Sequence, residues 1–226
     1  MKKLFIPVLF AALLMTACNS SDLPSGGESG PTGQSLDINE ATARQNLENL
    51  ANSESLLVNI RIKNEGQTFE KKYGAKQNYF WAYNYSDGLV IEDKVYTLTG
   101  STVCVYIKEN NEYKKDLEQD SAAAVKMYED AKASASSYLF FAHIIDANKQ
   151  YKKLETEETI AGRTAVIYDR DTEDKHERYW VDKTLGVTLK ASEYESKEKT
   201  KLLETVVEVT SFASGTGVNL PQVDVR

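Results

Sequence analysis

Most of the chain after residue 55 consists of short segments in which apolar and polar residues alternate. In the first of them, Leu56, Val58, Ile60 and Ile62 recur at every second position. A period of two is typical of a strand with one covered face. Asn, Asp and Gly residues separate the segments, and connections this short join antiparallel neighbours. The pattern therefore predicts a meander with strands at 56–62, 68–73, 79–85, 89–92, 95–99, 102–108, 112–117, 151–160, 163–169, 176–181, 187–194 and 202–212.

Two segments have the three-to-four-residue period of amphipathic helices. The first covers residues 37–52, and Asp37 followed three residues later by Glu40 predicts its capped N-terminus. The second covers residues 120–148, as one helix or as two helices joined near residues 134–137. Its small side chains favour free space beneath it. They are Ala122, Ala123, Ala124, Ala131, Ala133 and Ala135.

The N-terminus has the order of a secretory signal. Lys2 and Lys3 precede an apolar run, Leu4 to Leu14, which is shorter than the roughly 20 residues of a membrane-spanning helix. The run ends in Leu-Met-Thr-Ala-Cys, which resembles the lipobox of bacterial lipoproteins, and that resemblance implies acylation of Cys18. The alternative is a plain signal peptide followed by a chance cysteine. We expect residues 1–17 to be a signal peptide, residues 18–35 a lipidated cysteine with a flexible Gly/Ser/Pro tether, and residues 36–226 a single domain.

The charge and cysteine content narrow the classes of function. The 226 residues include 27 basic and 34 acidic side chains, for a net charge of −7. An acidic surface repels nucleic acid, so we expect no nucleic-acid partner. Cys18 and Cys104 are the two cysteines. If Cys18 carries lipid, the domain has no disulfide and depends on its apolar core.

The sequence offers little support for catalysis or metal binding. His143 lies in an apolar helical segment and is predicted to be packed there. His176 stands beside an acidic hairpin tip, residues 169–174, which lacks the Gly and Glu of a calcium loop and favours a solvated tip. Cys104 lies within a predicted strand, as expected for a buried or edge thiol rather than a nucleophile. No nucleophile elbow, zinc motif or phosphate-binding loop occurs. We therefore predict no enzyme, no cofactor and no metal site.

Residues 162–194 carry a resemblance to a known family. Gly162-Arg163, a strand ending in Tyr168-Asp169, then Tyr179-Trp180-Val181-Asp182 and Gly186-Val187 follow one another there. This pattern resembles the C-terminal hairpins of the LolA/LolB-like lipoprotein fold, which is also found in RseB and in mycobacterial lipid-carrying lipoproteins. The resemblance implies an α+β fold: a strongly curved, unclosed antiparallel sheet, or half-barrel, whose concave side is covered by helices. Members bind acyl chains, carry lipids or lipoproteins, or sense them, without a shared catalytic motif.

An aromatic ladder marks the third predicted strand, where Tyr79, Trp81, Tyr83 and Tyr85 share one face. Such a row lines a ligand surface, or holds sugar rings on an exposed sheet. The alternative is that this face belongs to the core or to the partly wet back of the sheet. For an apolar ligand between the sheet and the second helical segment, the predicted binding residues are Leu56, Val58, Ile60, Ile62, Tyr79, Trp81, Tyr83, Met127, Ala131, Tyr138, Val207 and Val209.

Together these features predict an exported bacterial lipoprotein held to a membrane, either the cell membrane or an outer membrane, by lipid on Cys18. Its expected role is noncatalytic binding or carriage of an apolar ligand such as an acyl chain. Burial of about 0.8 kcal/mol per methylene would supply the affinity. The alternative is a protein-interaction or envelope-sensing lipoprotein whose core is filled by its own side chains. The sequence leaves the protein partner undetermined.

Overall fold

The computed structural model describes residues 35–64, 66–144, 151–171, 175–197 and 200–224. These residues belong to one compact unit, Gly33–Arg226. The predicted signal peptide, Cys18 and nearly all of the predicted tether lie outside the described residues. Within the described ranges, every helix is too short or too polar to cross a bilayer.

Eleven antiparallel strands form a single unclosed, curved sheet. The strands are β1 (Leu56–Asn64), β2 (Gln67–Lys76), β3 (Tyr79–Ser86), β4 (Leu89–Thr99), β5 (Thr102–Glu109), β6 (Glu112–Asp120), β7 (Lys152–Ile160), β8 (Arg163–Asp171), β9 (Lys175–Asp182), β10 (Thr188–Lys197) and β11 (Thr200–Ser214). Their order in space is β6-β5-β4-β3-β2-β1-β11-β10-β9-β8-β7. Two meanders therefore meet where β1 pairs with β11, and β6 and β7 are the edges. The predicted α+β half-barrel with antiparallel neighbours is confirmed.

Strand β4 differs from the prediction. The sequence favoured two strands separated by a turn at Asp93 and Lys94, but β4 runs through both residues without a break. Asp93 pairs with Tyr83 and Lys94 pairs with Ala82 of β3. Asp and Lys have weak preferences for strands, so the neighbouring strand, rather than local propensity, keeps them extended.

The helices are α1 (Glu40–Ser53), α2 (Ala122–Ser136) and α3 (Phe141–Ile144), with a 3₁₀ turn at Ser137–Phe140. The break after α2 confirms the predicted junction near residues 134–137. The predicted cap of α1 is wrong, because the N-cap is Asn39, whose Oδ1 accepts a hydrogen bond of 2.9 Å from the amide of Thr42. The Asp37 carboxylate forms an ion pair with Lys153 instead.

The helices cover one face of the sheet, which we call the inner face, and the opposite side is the outer face. The core between α2 and the sheet is aromatic. Phe80 stacks on Tyr96 with ring centroids 4.4 Å apart, and Tyr128 of α2 meets Phe80 edge-on at 5.1 Å. All three side chains are buried, and burial raises the pKa of Tyr96 to about 12. These rings stay uncharged at physiological pH and fill the space under α2.

The turn between β9 and β10 lies at the centre of the segment that carries the family resemblance. The buried Asp182 carboxylate accepts hydrogen bonds from the amides of Thr184 (2.9 Å) and Leu185 (2.6 Å) and pairs with Arg163. Gly186 has φ +77° and lies against Ile38, directly before α1. The local turn chemistry and the packing of the N-terminal helix therefore depend on the same few residues.

Candidate functional site

The predicted aliphatic wall lies on the inner face and is buried. Six of the twelve predicted ligand residues belong to it, and none is more than 8% exposed. A side chain that lines an open, water-sized cavity keeps accessible area, so values this low mean that protein atoms already contact these residues. They are Leu56, Val58, Ile60, Ile62, Val207 and Val209.

The predicted helix residues contact the same core from the other side. Met127, Ala131 and Tyr138 are partly buried and pack against it. The alanines of α2 divide differently from the prediction, because Ala122, Ala123 and Ala133 are exposed to solvent. Tyr128, which the sequence did not single out, turns inward and is 3% exposed. One large aromatic side chain therefore occupies the space that the small residues were expected to leave.

The remaining predicted residues, Tyr79, Trp81 and Tyr83, lie on the outer face. On β3 they alternate with the buried Phe80 and Ala82, and all three are partly exposed. The sheet therefore separates them from the aliphatic residues and from α2. The twelve predicted residues form two groups on opposite faces rather than one site.

Asp93 ties Trp81 of the outer group to neighbouring side chains of β5 and β6. Its Oδ1 accepts a 2.8 Å hydrogen bond from Trp81 Nε1 and another from the Tyr113 hydroxyl. Lys108 Nζ lies 3.5 Å from its Oδ2, and the Asp93 side chain is only 10% exposed. Burial, together with the hydrogen bond to Asp93, raises the pKa of Tyr113. The carboxylate therefore fixes two aromatic rings and one ammonium group from three different strands.

The C-terminal segment crosses this outer group. The Tyr79 hydroxyl donates a 2.7 Å hydrogen bond to the Pro221 carbonyl, and the Tyr106 hydroxyl donates one of 3.2 Å to the Asp224 carbonyl. Leu220 lies so close to Gly74 that a Cβ there would be 2.7 Å from its Cδ2. Glycine at position 74 allows the segment to lie directly on the sheet. The C-terminal residues 220–224 thus span β2 to β5.

A depression of about 570 Å³ opens beside this segment. We call it the outer pocket. Its lining combines Trp81 of β3, part of the β5–β6 hairpin and two residues of the C-terminal segment. These further residues are Lys108, Asn111, Glu112, Tyr113, Pro221 and Gln222. Of the lining, sequence reasoning had identified Trp81 alone, and the aromatic ladder was the signal that led to it.

Cys104 and His176 were the other residues considered for catalysis or metal binding. Cys104 is free and partly exposed on β5, one strand in from the edge. His176 Nδ1 contacts the Asp171 carboxylate, and residues 172–174 of the acidic tip lie outside the described residues. Among the residues that the structure covers, no cluster of three or more His, Cys, Asp or Glu side chains is arranged to hold a metal.

His143 is packed, as predicted, at 8% exposure. Its Nε2 lies 2.8 Å from the Gly186 carbonyl oxygen, so the neutral ring donates its Nε2 proton there. Burial lowers the pKa of His143, and the hydrogen bond to Gly186 only partly offsets that effect.

The lowered pKa of His143 predicts a pH-dependent stability. As pH falls below 6.5, the ordinary value for this group, the unfolded chain takes up the proton before the folded chain does, so the free energy of unfolding decreases. The decrease ends below the folded pKa. We expect His143→Gln, which retains a donor, to flatten the dependence between pH 7 and pH 5 in urea titrations. Equal slopes for the variant and the wild type would contradict this assignment.

No protein-family model matches the sequence, and a search of curated proteins found no match. Solved structures similar to the chain include the Pseudomonas aeruginosa MucA/MucB complex, at 13% identity over 78% of this chain and 57% of that one, with a TM-score of 0.37. A crystal structure of MucB matches at 16% identity over 82% and 62% of the two chains, with a TM-score of 0.34. A DUF1329 family protein from Desulfovibrio piger matches at 13% identity over 79% and 92%, with a TM-score of 0.26.

The chain spans about three fifths of the length of the MucB structures that it matches. All of these TM-scores are below 0.5. The agreement with the LolA/LolB-like resemblance is one of architecture: an open, curved antiparallel sheet with helices on one face.

Proposed function

We propose that the protein is an exported, lipid-anchored binding protein without catalytic activity. It meets its partner through exposed surfaces, as a protein-interaction or envelope-sensing lipoprotein does. The observation that carries this proposal is the burial of the predicted aliphatic wall, since all six of its residues are at most 8% exposed. Among the described residues, this wall is already covered by protein atoms and offers little surface to an acyl chain.

The chemistry of the described residues supports a noncatalytic role. The two most buried carboxylates described above make structural contacts. Asp182 accepts hydrogen bonds within the β9–β10 turn, and Asp93 accepts hydrogen bonds from Trp81 and Tyr113. The buried imidazole of His143 donates to a backbone carbonyl. A general acid or base has to reach a substrate proton, whereas Asp182, Asp93 and His143 are hydrogen-bonded within the protein.

Carriage of an apolar ligand is the second candidate, and the composition of α2 and of the 3₁₀ turn after it favours it. Met127, Ala131 and Tyr138 are only partly buried, and small residues make up much of the helix surface toward the sheet. Outward movement of the helices, α2 with Tyr128 among them, would open the inner face. In this mechanism the binding free energy of the ligand has to exceed the free energy lost when Tyr128 gives up its aromatic contacts of the closed state.

The lipid anchor at Cys18 is tested with Cys18→Ser. We expect the wild type to incorporate labelled palmitate and to sediment with membranes, whereas the variant does neither, because a serine cannot form the thioether that holds the lipid. Lipids extracted from each purified protein are then identified by mass spectrometry. Absence of label on the wild type would refute the anchor, and an equimolar noncovalent lipid on the variant would favour the second candidate.

A further inference from the structure

The outer pocket has a composition that the proposed function does not use. Its volume of about 570 Å³ falls within the roughly 300–1,000 Å³ of small-molecule sites. Two aromatic residues, Trp81 and Tyr113, line the pocket. The polar atoms of both already hydrogen-bond within the protein, since Trp81 Nε1 and the Tyr113 hydroxyl both donate to Asp93. What remains for a ligand is the ring surface that Lys72, with Nζ 5.9 Å from the Trp81 centroid, and Lys108, beside Tyr113, leave uncovered.

Charges of both signs lie at the outer pocket. Lys108 lies 3.5 Å from Asp93 and also approaches the Tyr113 ring, with Nζ 5.8 Å from the centroid. Glu112 brings a negative charge to the same rim. An anion would meet the carboxylates and a cation would meet Lys108, so neither has a clear advantage.

The rim also presents neutral hydrogen-bonding groups. Asn111 stands at the tip of the β5–β6 hairpin and Gln222 lies in the C-terminal segment, and both residues are exposed. A primary amide donates and accepts at once, as a hydroxyl group does. Fixed aromatic surface bordered by amides and by charges of both signs therefore suits a neutral ligand that has both apolar faces and many hydroxyl groups.

We propose that the outer pocket binds a neutral saccharide. The C–H face of a sugar ring packs on Trp81 or Tyr113, and the hydroxyl groups of the sugar hydrogen-bond with Asn111, Glu112 and Gln222. Asp93 acts as a positioning residue, because it orients both rings without reaching the ligand. Pro221 closes one side of the pocket, so the C-terminal segment forms part of the site.

The proposal is tested by calorimetric titration of the full chain, as its Cys18→Ser variant, with maltotriose, cellotriose and triacetylchitotriose. We expect at least one of them to bind with a dissociation constant in the millimolar range or below. Trp81→Ala and Gln222→Ala should each weaken binding, the first by at least tenfold. Tyr85→Ala is the matched control, because Tyr85 shares the strand and face of Trp81 but lies outside the pocket, and it should bind as the wild type does.

Gln222 is exposed, so its substitution keeps the test decisive even if Trp81→Ala fails to fold. Absence of binding by all three trisaccharides would overturn the proposal, as would unchanged affinity in both Gln222→Ala and a folded Trp81→Ala. A peptide is the competing occupant, since the C-terminal segment already lies along this face. Saturable binding of a synthetic peptide of residues 215–226, with no saccharide binding, would assign the pocket to peptides instead.

Discussion

Tyr128→Ala is expected to lower the free energy of unfolding by about 3–5 kcal/mol, the range for removing a large aromatic side chain from a core. Tyr128 is 3% exposed and packs edge-on against Phe80 at 5.1 Å. Its loss leaves a ring-sized void between α2 and the sheet, where neighbouring side chains relax only in part. Urea unfolding followed by circular dichroism measures the change.

Tyr128→Phe is the matched control for that substitution. Among the described residues, the Tyr128 hydroxyl is buried without a hydrogen-bond partner. Removing an unpaired buried hydroxyl is expected to change the stability by less than about 1 kcal/mol, or to increase it. If Tyr128→Ala cost as little as Tyr128→Phe, the packing under α2 would not depend on this ring, and the role of Tyr128 in filling that space would be refuted.

Gly186→Ala is expected to destabilise the fold by about 2–5 kcal/mol, which combines two physical effects. A non-glycine residue at φ +77° costs roughly 1–2 kcal/mol. The new Cβ would also lie 2.6 Å from Ile38 Cγ2 and 3.1 Å from Ala43 Cβ, and overpacking of this kind costs about 1–3 kcal/mol. Because Ala43 belongs to α1, the helix itself would have to shift.

Gly162→Ala separates these two effects. Gly162 has nearly the same backbone angle, φ +79°, but a Cβ there would meet nothing within 4 Å. We expect Gly162→Ala to lower the free energy of unfolding only by the cost of the backbone conformation, about 1–2 kcal/mol. Thermal denaturation of both variants gives the difference, and equal losses would show that α1 does not pack tightly on the β9–β10 turn.

The strands could be predicted from the sequence because alternation and short turns are local signals. The predictions failed where residues distant in the sequence determine the local structure. Asp93 and Lys94 resemble a turn in isolation, yet they continue β4 because β3 lies alongside and Trp81 and Tyr113 satisfy the Asp93 carboxylate. Asn39 caps α1 in place of Asp37, whose carboxylate pairs with Lys153 more than a hundred residues later.

The candidate site was less predictable for the same reason. Alternation showed that Tyr79, Trp81 and Tyr83 share a face, but it could not show which face α2 covers. The face that α2 covers is set by Tyr128, which packs against Phe80, the neighbour of Tyr79 on the opposite face of β3. The outer pocket also needs Pro221 and Gln222, which are brought to β3 by a segment without periodicity. No local pattern in the sequence marks that contact.

The central claim, that the inner face is filled by the protein itself, is tested most directly by titrating the full-length Cys18→Ser chain with a fluorescent fatty acid. A fatty-acid-binding protein serves as the positive control. The buried aliphatic wall predicts no saturable increase in fluorescence at micromolar protein. Saturable one-to-one uptake, lost when Val58 or Val207 is replaced by a charged residue in a variant that remains folded, would contradict the self-filled inner face and establish an apolar cargo between the sheet and the helices.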